Sequence, residues 1–160
     1  MDAHYWSAED NRSALARIPA LPSLAEVGNL CPLPGRYRPA FEHAAEEADL
    51  PIELLVAVGQ VESHFTPDAR SRADARGLLQ VLPSTAASLG LDADRPDTNV
   101  LAGARYLREL LDRFDAPDLA LAAYNAGPTA VEDAGGAPTA ETATYVANVD
   151  ALWRDLRGCK

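Results

Sequence analysis

From Pro39 onward the apolar positions of this chain recur at three- and four-residue intervals, the period of a helix, and no run alternates apolar and polar residues for long. PAFEHAAEEADL predicts a helix with Phe41, Ala44, Ala45 and Ala48 on one face, Pro39 near its first turn and an end at Asp49. Pro51 opens a second helix, PIELLVAVGQVESHF, in which Ile52, Leu55, Val56, Gly59 and Glu62 share an apolar stripe. Thr66 to Arg76 turns polar and reads as a loop. GLLQVLPSTAASLG then predicts an apolar turn from Gly77 and a helix with Pro83 near its start and Gly90 after its end. Asp97 is placed to cap a long helix from about Thr98 to Phe114, with Val100, Ala104, Leu107, Leu111 and Phe114 inward. LALAAYNAG closes at Gly127–Pro128, a short helical turn precedes Gly135–Gly136, and a last helix runs from about Ala140 to Leu156. That last helix carries Tyr145, Val149, Leu152 and Leu156 on one face, with Val146 and Trp153 beside them. Residues 1–35, broken by Pro19, Pro22, Pro32 and Pro34, read as an N-terminal arm with at most one short helix around Ser7 to Arg17. The pattern therefore predicts an all-α domain over 36–160 behind that arm, with no internal repeat.

Composition agrees, since alanine and leucine dominate, and 160 residues suffice for one core without a structural metal. No apolar stretch approaches the length of a membrane span, and the first thirty residues lack the basic-then-apolar pattern of a leader. The net charge of −10 argues against nucleic acid or an anionic membrane as partner, because both reward clustered lysine and arginine. A neutral or weakly charged ligand, held by shape and hydrogen bonds, is then more natural for a chain expected to be a monomer. His4, His43 and His64 share no ligand spacing, so neither a metal nor another cofactor is expected. The two cysteines, Cys31 and Cys159, flank the patterned region; they are expected to pair as a disulfide, which would imply an oxidising compartment, and two free thiols are the other reading.

Glu62 is the anomaly in the pattern. It occupies the apolar phase of its helix near the C-terminus, where desolvation and the helix dipole both disfavour a negative charge. Four short motifs give it a context: VESHF (Val61–Phe65), GLLQ (Gly77–Gln80), AAYNAG (Ala122–Gly127) and ETATYV (Glu141–Val146). In order and approximate spacing, over roughly residues 36–157, they resemble the catalytic module of the soluble lytic transglycosylases (SLT type), which is similar in fold to goose-type lysozyme. NVLAGARYLREL lies where that family has its central helix.

The resemblance implies a lysozyme-like helical domain with a substrate cleft, acting on peptidoglycan glycan strands in a secreted, periplasmic or wall-associated setting. It makes Glu62 the catalytic glutamate, followed by Ser63 as in the family's Glu-Ser pair. Ser71 matches the loop serine that contacts the sugar N-acetyl group or the acid. Gly77 and Gln80 match residues lining the cleft beside the acid, Tyr124 and Asn125 the Tyr-Asn pair at its floor, and Tyr145 the late tyrosine facing the carboxyl. Glu141 sits where the family often has a substrate-binding glutamate. Leu79 replaces a frequent methionine, Arg72 stands where proline is common, and Asp74 where glycine is common.

The chemistry can be argued without the name. Protonating a glycosidic oxygen requires a carboxylic acid that keeps its proton near neutral pH, which burial against apolar walls such as Ile52, Leu55, Leu78 and Leu79 would supply. Two-carboxylate glycosidases need a partner, and none stands out: Asp74 lies between Arg72 and Arg76, as in a solvated ion pair. With one carboxylate, the resemblance implies assistance by the muramoyl N-acetyl group, return of Glu62 as base, and a 1,6-anhydromuramoyl product. A lysozyme- or chitinase-like hydrolase on the same fold, and a wall-binding module that has lost the reaction, remain as alternatives.

Overall fold

Prolines set where most of the helices begin. In the computed structural model, which describes residues 30–160, a 3₁₀ turn (Gly35–Tyr37) leads into α1 (Arg38–Glu47), and proline occupies one of the first two positions of α1 and of four later helices. Those four are α3 (Pro83–Ser88), α4 (Pro96–Phe114), α5 (Pro117–Ala126) and α6 (Pro128–Ala134). Proline loses nothing there, because the first turn of a helix has no intrahelical partner for its N–H groups. Pro51 precedes α2 (Ile52–Ser63), and among the described helices only α7 (Ala140–Asp155) has a side-chain cap, Thr139 Oγ1 accepting from the Thr142 amide at 3.0 Å. The long helix thus starts with Pro96 and not with a cap at Asp97. Asp97 lies within the first turn, where the Thr98 amide holds its carboxyl below the usual range.

The second difference is in α2. A single stripe is expected, yet Leu54 through Gly59 are all buried, because the helix runs through the centre of the molecule and meets neighbours on every side. It packs against α1 and α7, while α4 packs against α1 and α5. Phe41, Leu55, Leu78, Leu79 and Leu107 have no exposed surface, and Leu79 comes from the loop between helices. On α4 the buried residue near the end is Leu110, with Leu111 and Phe114 half-buried at its side. The described residues contain no sheet, only isolated bridges pairing Arg70 with Arg76 and Arg76 with Val81. The molecule is all-α, as its periodicity predicts.

Cys31–Lys160 form one compact unit, so residues 31–35 belong to it. Cys31 and Cys159 are joined in a disulfide. Around that bond the Cys31 amide donates to the Lys160 carbonyl at 2.9 Å, and Arg38 donates to the Cys31 and Lys160 carbonyls at 2.7 and 2.9 Å. No described helix is long and apolar enough to cross a membrane. The helix expected around Ser7 to Arg17, and His4, lie outside the described residues.

Candidate active site

α2 stops one residue beyond Glu62. His64 and Phe65 both take left-handed backbone, φ 49° and 57°, an uncommon conformation for residues with side chains. Phe65 repays it by packing edge-on against Phe41, ring centroids 5.9 Å apart. Glu62 is therefore left at the helix end on the wall of a cleft of about 330 Å³. Burial pushes its pKa up to about 7, against a smaller opposing effect of the Tyr145 hydroxyl. Ile52 is not one of the walls responsible: it stands ten residues back along the helix, about 15 Å away.

The loop after α2 is held in place by a set of buried polar contacts. Ser63 Oγ donates to the Leu78 carbonyl at 2.8 Å and accepts from the Thr66 amide at 3.2 Å. Asn99, fully buried on α4, accepts from the Leu79 amide at 2.9 Å and donates to the carbonyls of Arg76 and Ala93 at 2.7 and 2.9 Å. Two of these bonds hold the loop and the third ties the segment before α4, which leaves only one lone pair of that amide unused. Gly77 must be glycine for two reasons: its φ is +73°, and a Cβ there would lie 2.6 Å from the Asn99 amide nitrogen. Gln80, itself at φ 47°, donates from Nε2 to the carbonyls of Ala69 and Gly77 at 3.1 and 3.0 Å, leaving its carbonyl oxygen without a protein donor.

Ser71 accepts at Oγ from the amides of Ala73 and Ala75, at 3.2 and 3.0 Å, which shapes the loop and leaves its own hydroxyl hydrogen uncommitted. Asp74 pairs with Arg70 and Arg76, not with Arg72 and Arg76 as the spacing suggests, and both arginines also reach Asp94. The Arg76 hydrogen bond, with the nearby charges, holds the Asp74 carboxyl below its ordinary range.

Two tyrosines complete the surroundings of the acid. The Tyr124 hydroxyl donates to the Leu79 carbonyl at 2.8 Å and lies against Gly103, where a Cβ would collide with it at 2.8 Å and with Leu79 at 2.6 Å. The Tyr145 hydroxyl is buried and near enough to the Glu62 carboxyl to influence its ionisation, yet it makes no hydrogen bond of ordinary geometry. Burial and the Glu62 charge raise both phenols well above the usual tyrosine range, so both hydroxyls keep their protons.

Of the residues expected in the site, Glu62, Ser71, Gln80, Tyr124 and Asn125 line the cleft together. Asn125 is in the last turn of α5, whose C-cap is Gly127. Gly77 and Tyr145 stand behind the wall, and Glu141 is exposed in the first turn of α7, outside the cleft lining. Sequence reasoning missed Tyr106, whose ring sits 5.5 Å from that of Tyr124 and lines the cleft, as do Leu82 and Thr85. It also missed Asn99, a polar residue in the apolar phase of α4 next to Val100. That phase was the available signal.

Among the residues lining this cleft Glu62 is the only carboxylic acid. An all-α domain with a lone buried acid on the wall of an open cleft defines a class of lysozyme-like folds. Within it the chain belongs to the Transglycosylase SLT domain family, whose model matches residues 39–146. It is 44% identical over 108 residues to a membrane-bound lytic murein transglycosylase F of Maricaulis maris, covering 62% of this chain and 24% of that protein. The corresponding protein F 2 of Alkalilimnicola ehrlichii is 43% identical over 101 residues, 58% of this chain and 22% of that one. The structure of an inactive glutamate-to-glutamine mutant of lytic transglycosylase Slt from Pseudomonas aeruginosa matches with TM-score 0.67 and 30% identity, over 77% of this chain and 24% of that chain. The chain spans about a quarter of the length of these relatives.

Proposed function

We propose that this chain cleaves the MurNAc-β-1,4-GlcNAc bond of peptidoglycan as a lytic transglycosylase, with Glu62 acting first as acid and then as base. The observation that carries the reading is a single cleft carboxyl, raised to about 7 by burial, in a member of this family. Near neutrality such a group is divided between its acid and base forms, which suits one residue that must serve as both. Asp74, exposed and held ionised by two arginines outside the cleft lining, is poorly suited to be a second catalytic group.

In the first step Glu62 gives its proton to the glycosidic oxygen, the bond from that oxygen to C1 of the muramoyl sugar breaks, and the sugar's own N-acetyl oxygen takes up the positive charge at C1. The Tyr145 hydroxyl, with no protein acceptor of its own, is available to stabilise the carboxylate just formed. In the second step that carboxylate removes the proton from the 6-hydroxyl, O6 bonds to C1, and the N-acetyl group is released. The products are a free 4-hydroxyl and a 1,6-anhydromuramoyl end. No water is consumed, and Glu62 regains its proton.

Ser71, Gln80, Tyr124 and Asn125 bind the sugars: the uncommitted Ser71 hydroxyl hydrogen and the Gln80 carbonyl oxygen suit an acetamide or sugar hydroxyls. Glu141 would contact substrate only beyond the cleft just described. The disulfide and a wall polymer as substrate both support a secreted, periplasmic or wall-associated setting. The test is mass spectrometry of peptidoglycan digested by wild type and by Glu62→Gln. Anhydromuramoyl ends from wild type and none from the variant are expected. Reducing ends would make the enzyme a hydrolase, and equal background release from both would make it a binding module.

A further inference from the structure

We propose that Asp94 is a positioning residue for substrate binding: with Arg70, Arg76 and Asp74 it closes an ionic clasp that holds the turn carrying Ser71 at the cleft. The inference rests on the glycan-binding reading of that cleft and adds a residue that acts on it from outside. Ser71, Ala73 and Ala75 line the cavity, yet their turn has little of its own to hold it there. Ser71 to Asp74 are all exposed, so no apolar side chain anchors the tip. The hydrogen bonds of the tip are internal. The Ser71 amide donates to the Ala75 carbonyl at 3.0 Å, the Asp74 amide to the Ser71 carbonyl at 3.1 Å, and Ser71 Oγ accepts from the amides of Ala73 and Ala75. The base of the loop is fixed differently, by Asn99 and by the buried residues 77–79.

Asp94 supplies the tie that the tip lacks. It stands just before α4, where its amide donates to Asp92 Oδ1 at 2.9 Å and Asn99 holds the neighbouring Ala93 carbonyl. Its carboxylate accepts from Arg70 Nη2 at 3.2 Å and from Arg76 Nη1 at 2.6 Å. Asp74 accepts from the same two guanidiniums, from Arg70 Nη1 at 3.4 Å and Arg76 Nη2 at 3.0 Å. Among the described residues, Asp94 is the group outside residues 66–81 to which residues 70–75 are hydrogen-bonded. A single exposed ion pair contributes little, but here each acid meets both arginines, so the four charges hold as a set. A displaced turn must be drawn back before Ser71 can meet a sugar. Affinity then falls with the fraction of molecules whose turn is in place, while turnover of the bound complex is unchanged. The clasp therefore acts on KM and not on kcat.

The experiment measures kcat and KM on solubilised glycan strands for wild type, Asp94→Asn, Asp94→Glu, Asp74→Asn and the Asp74→Asn/Asp94→Asn double variant. Glu46→Gln, an exposed acid on α1 outside the cleft lining, controls for the loss of one charge. Asparagine also tolerates the left-handed backbone of Asp74, φ 64°, so the turn itself is kept. Each single Asn variant raises KM by about two- to fivefold over Glu46→Gln with kcat unchanged, the size of an exposed ion pair. The double variant raises it by less than the product of the two, Asp94→Glu restores it in part, and high salt brings all the proteins together. A KM for Asp94→Asn equal to that of Glu46→Gln at low salt overturns the proposal, as does a fall in kcat confined to Asp74→Asn, which would make Asp74 a catalytic group. Should wild type release no product, the catalytic reading fails by itself, and Kd for the same strands takes the place of KM with the same expectations. Hydrogen exchange without substrate checks the clasp directly. Amides of Ser71, Ala73, Asp74 and Ala75 that exchange faster in Asp94→Asn than in Glu46→Gln support it, and equal rates overturn it.

Discussion

A carboxyl whose pKa is higher in the folded chain than in the unfolded one destabilises the protein whenever it is ionised. For Glu62 the two values are about 7 and 4.5, so the fold bears no such cost below pH 4.5 and the full cost above pH 7. Glu62→Gln is therefore expected to be more stable than wild type by about 2–3 kcal/mol at pH 8, the gap closing as the pH falls to 4.5. Denaturant melts at the two pH values measure it, and a gap independent of pH would contradict the burial argument. Tyr145→Phe removes a hydroxyl that has no protein partner, so the melting point should move little while turnover falls. Because that hydroxyl lowers the Glu62 pKa, the alkaline limb of the pH–rate profile should move upward in the variant, the reverse of what loss of an acidic group would give.

The elements matter for how they hold the loop of residues 66–81 against α2 and α4. Asn99 supplies three hydrogen bonds from a position with no exposure, and Asn99→Leu would strand the Leu79 amide and the Ala93 carbonyl, leaving the Arg76 carbonyl with the Val81 amide alone. A loss of about 3 kcal/mol or more in stability is expected, with kcat falling because Gln80 and the Leu79 carbonyl shift. The pH profile of the residual activity should keep the wild-type alkaline limb, since Glu62 remains on α2. Gly103→Ala tests the same contact from the other side. Its Cβ would push on Leu79 and on the Tyr124 hydroxyl, at a cost of about 1–3 kcal/mol by thermal melting.

At the scale of the molecule, the bond between Cys31 and Cys159 joins positions separated by 128 residues, so nearly the whole helical unit is closed into one loop. Replacing both cysteines by serine should cost about 2–5 kcal/mol, read as a lower denaturation midpoint. Arg38→Ala in the same background should cost more than Arg38→Ala alone, since Arg38 clamps the same two chain ends through the Cys31 and Lys160 carbonyls.

The order of the described helices was legible because apolar spacing and proline placement are local properties, and each described helix obeyed them to within a few residues. Glu62 was legible for the same reason: a charge in the apolar phase of a helix is visible before anything is folded. The roles of its neighbours were less so. Asn99 was passed over because the worth of a buried amide depends on which carbonyls a distant loop brings to it. Asp74 is expected on spacing alone to sit in an ion pair between Arg72 and Arg76, whereas in the folded loop it pairs with Arg70 and Arg76. Periodicity along the chain decides which surfaces become buried. Which polar groups meet there, and which charge is left over, is decided only when segments far apart in sequence pack together, because hydrogen bonds and ion pairs act over a few ångströms of space.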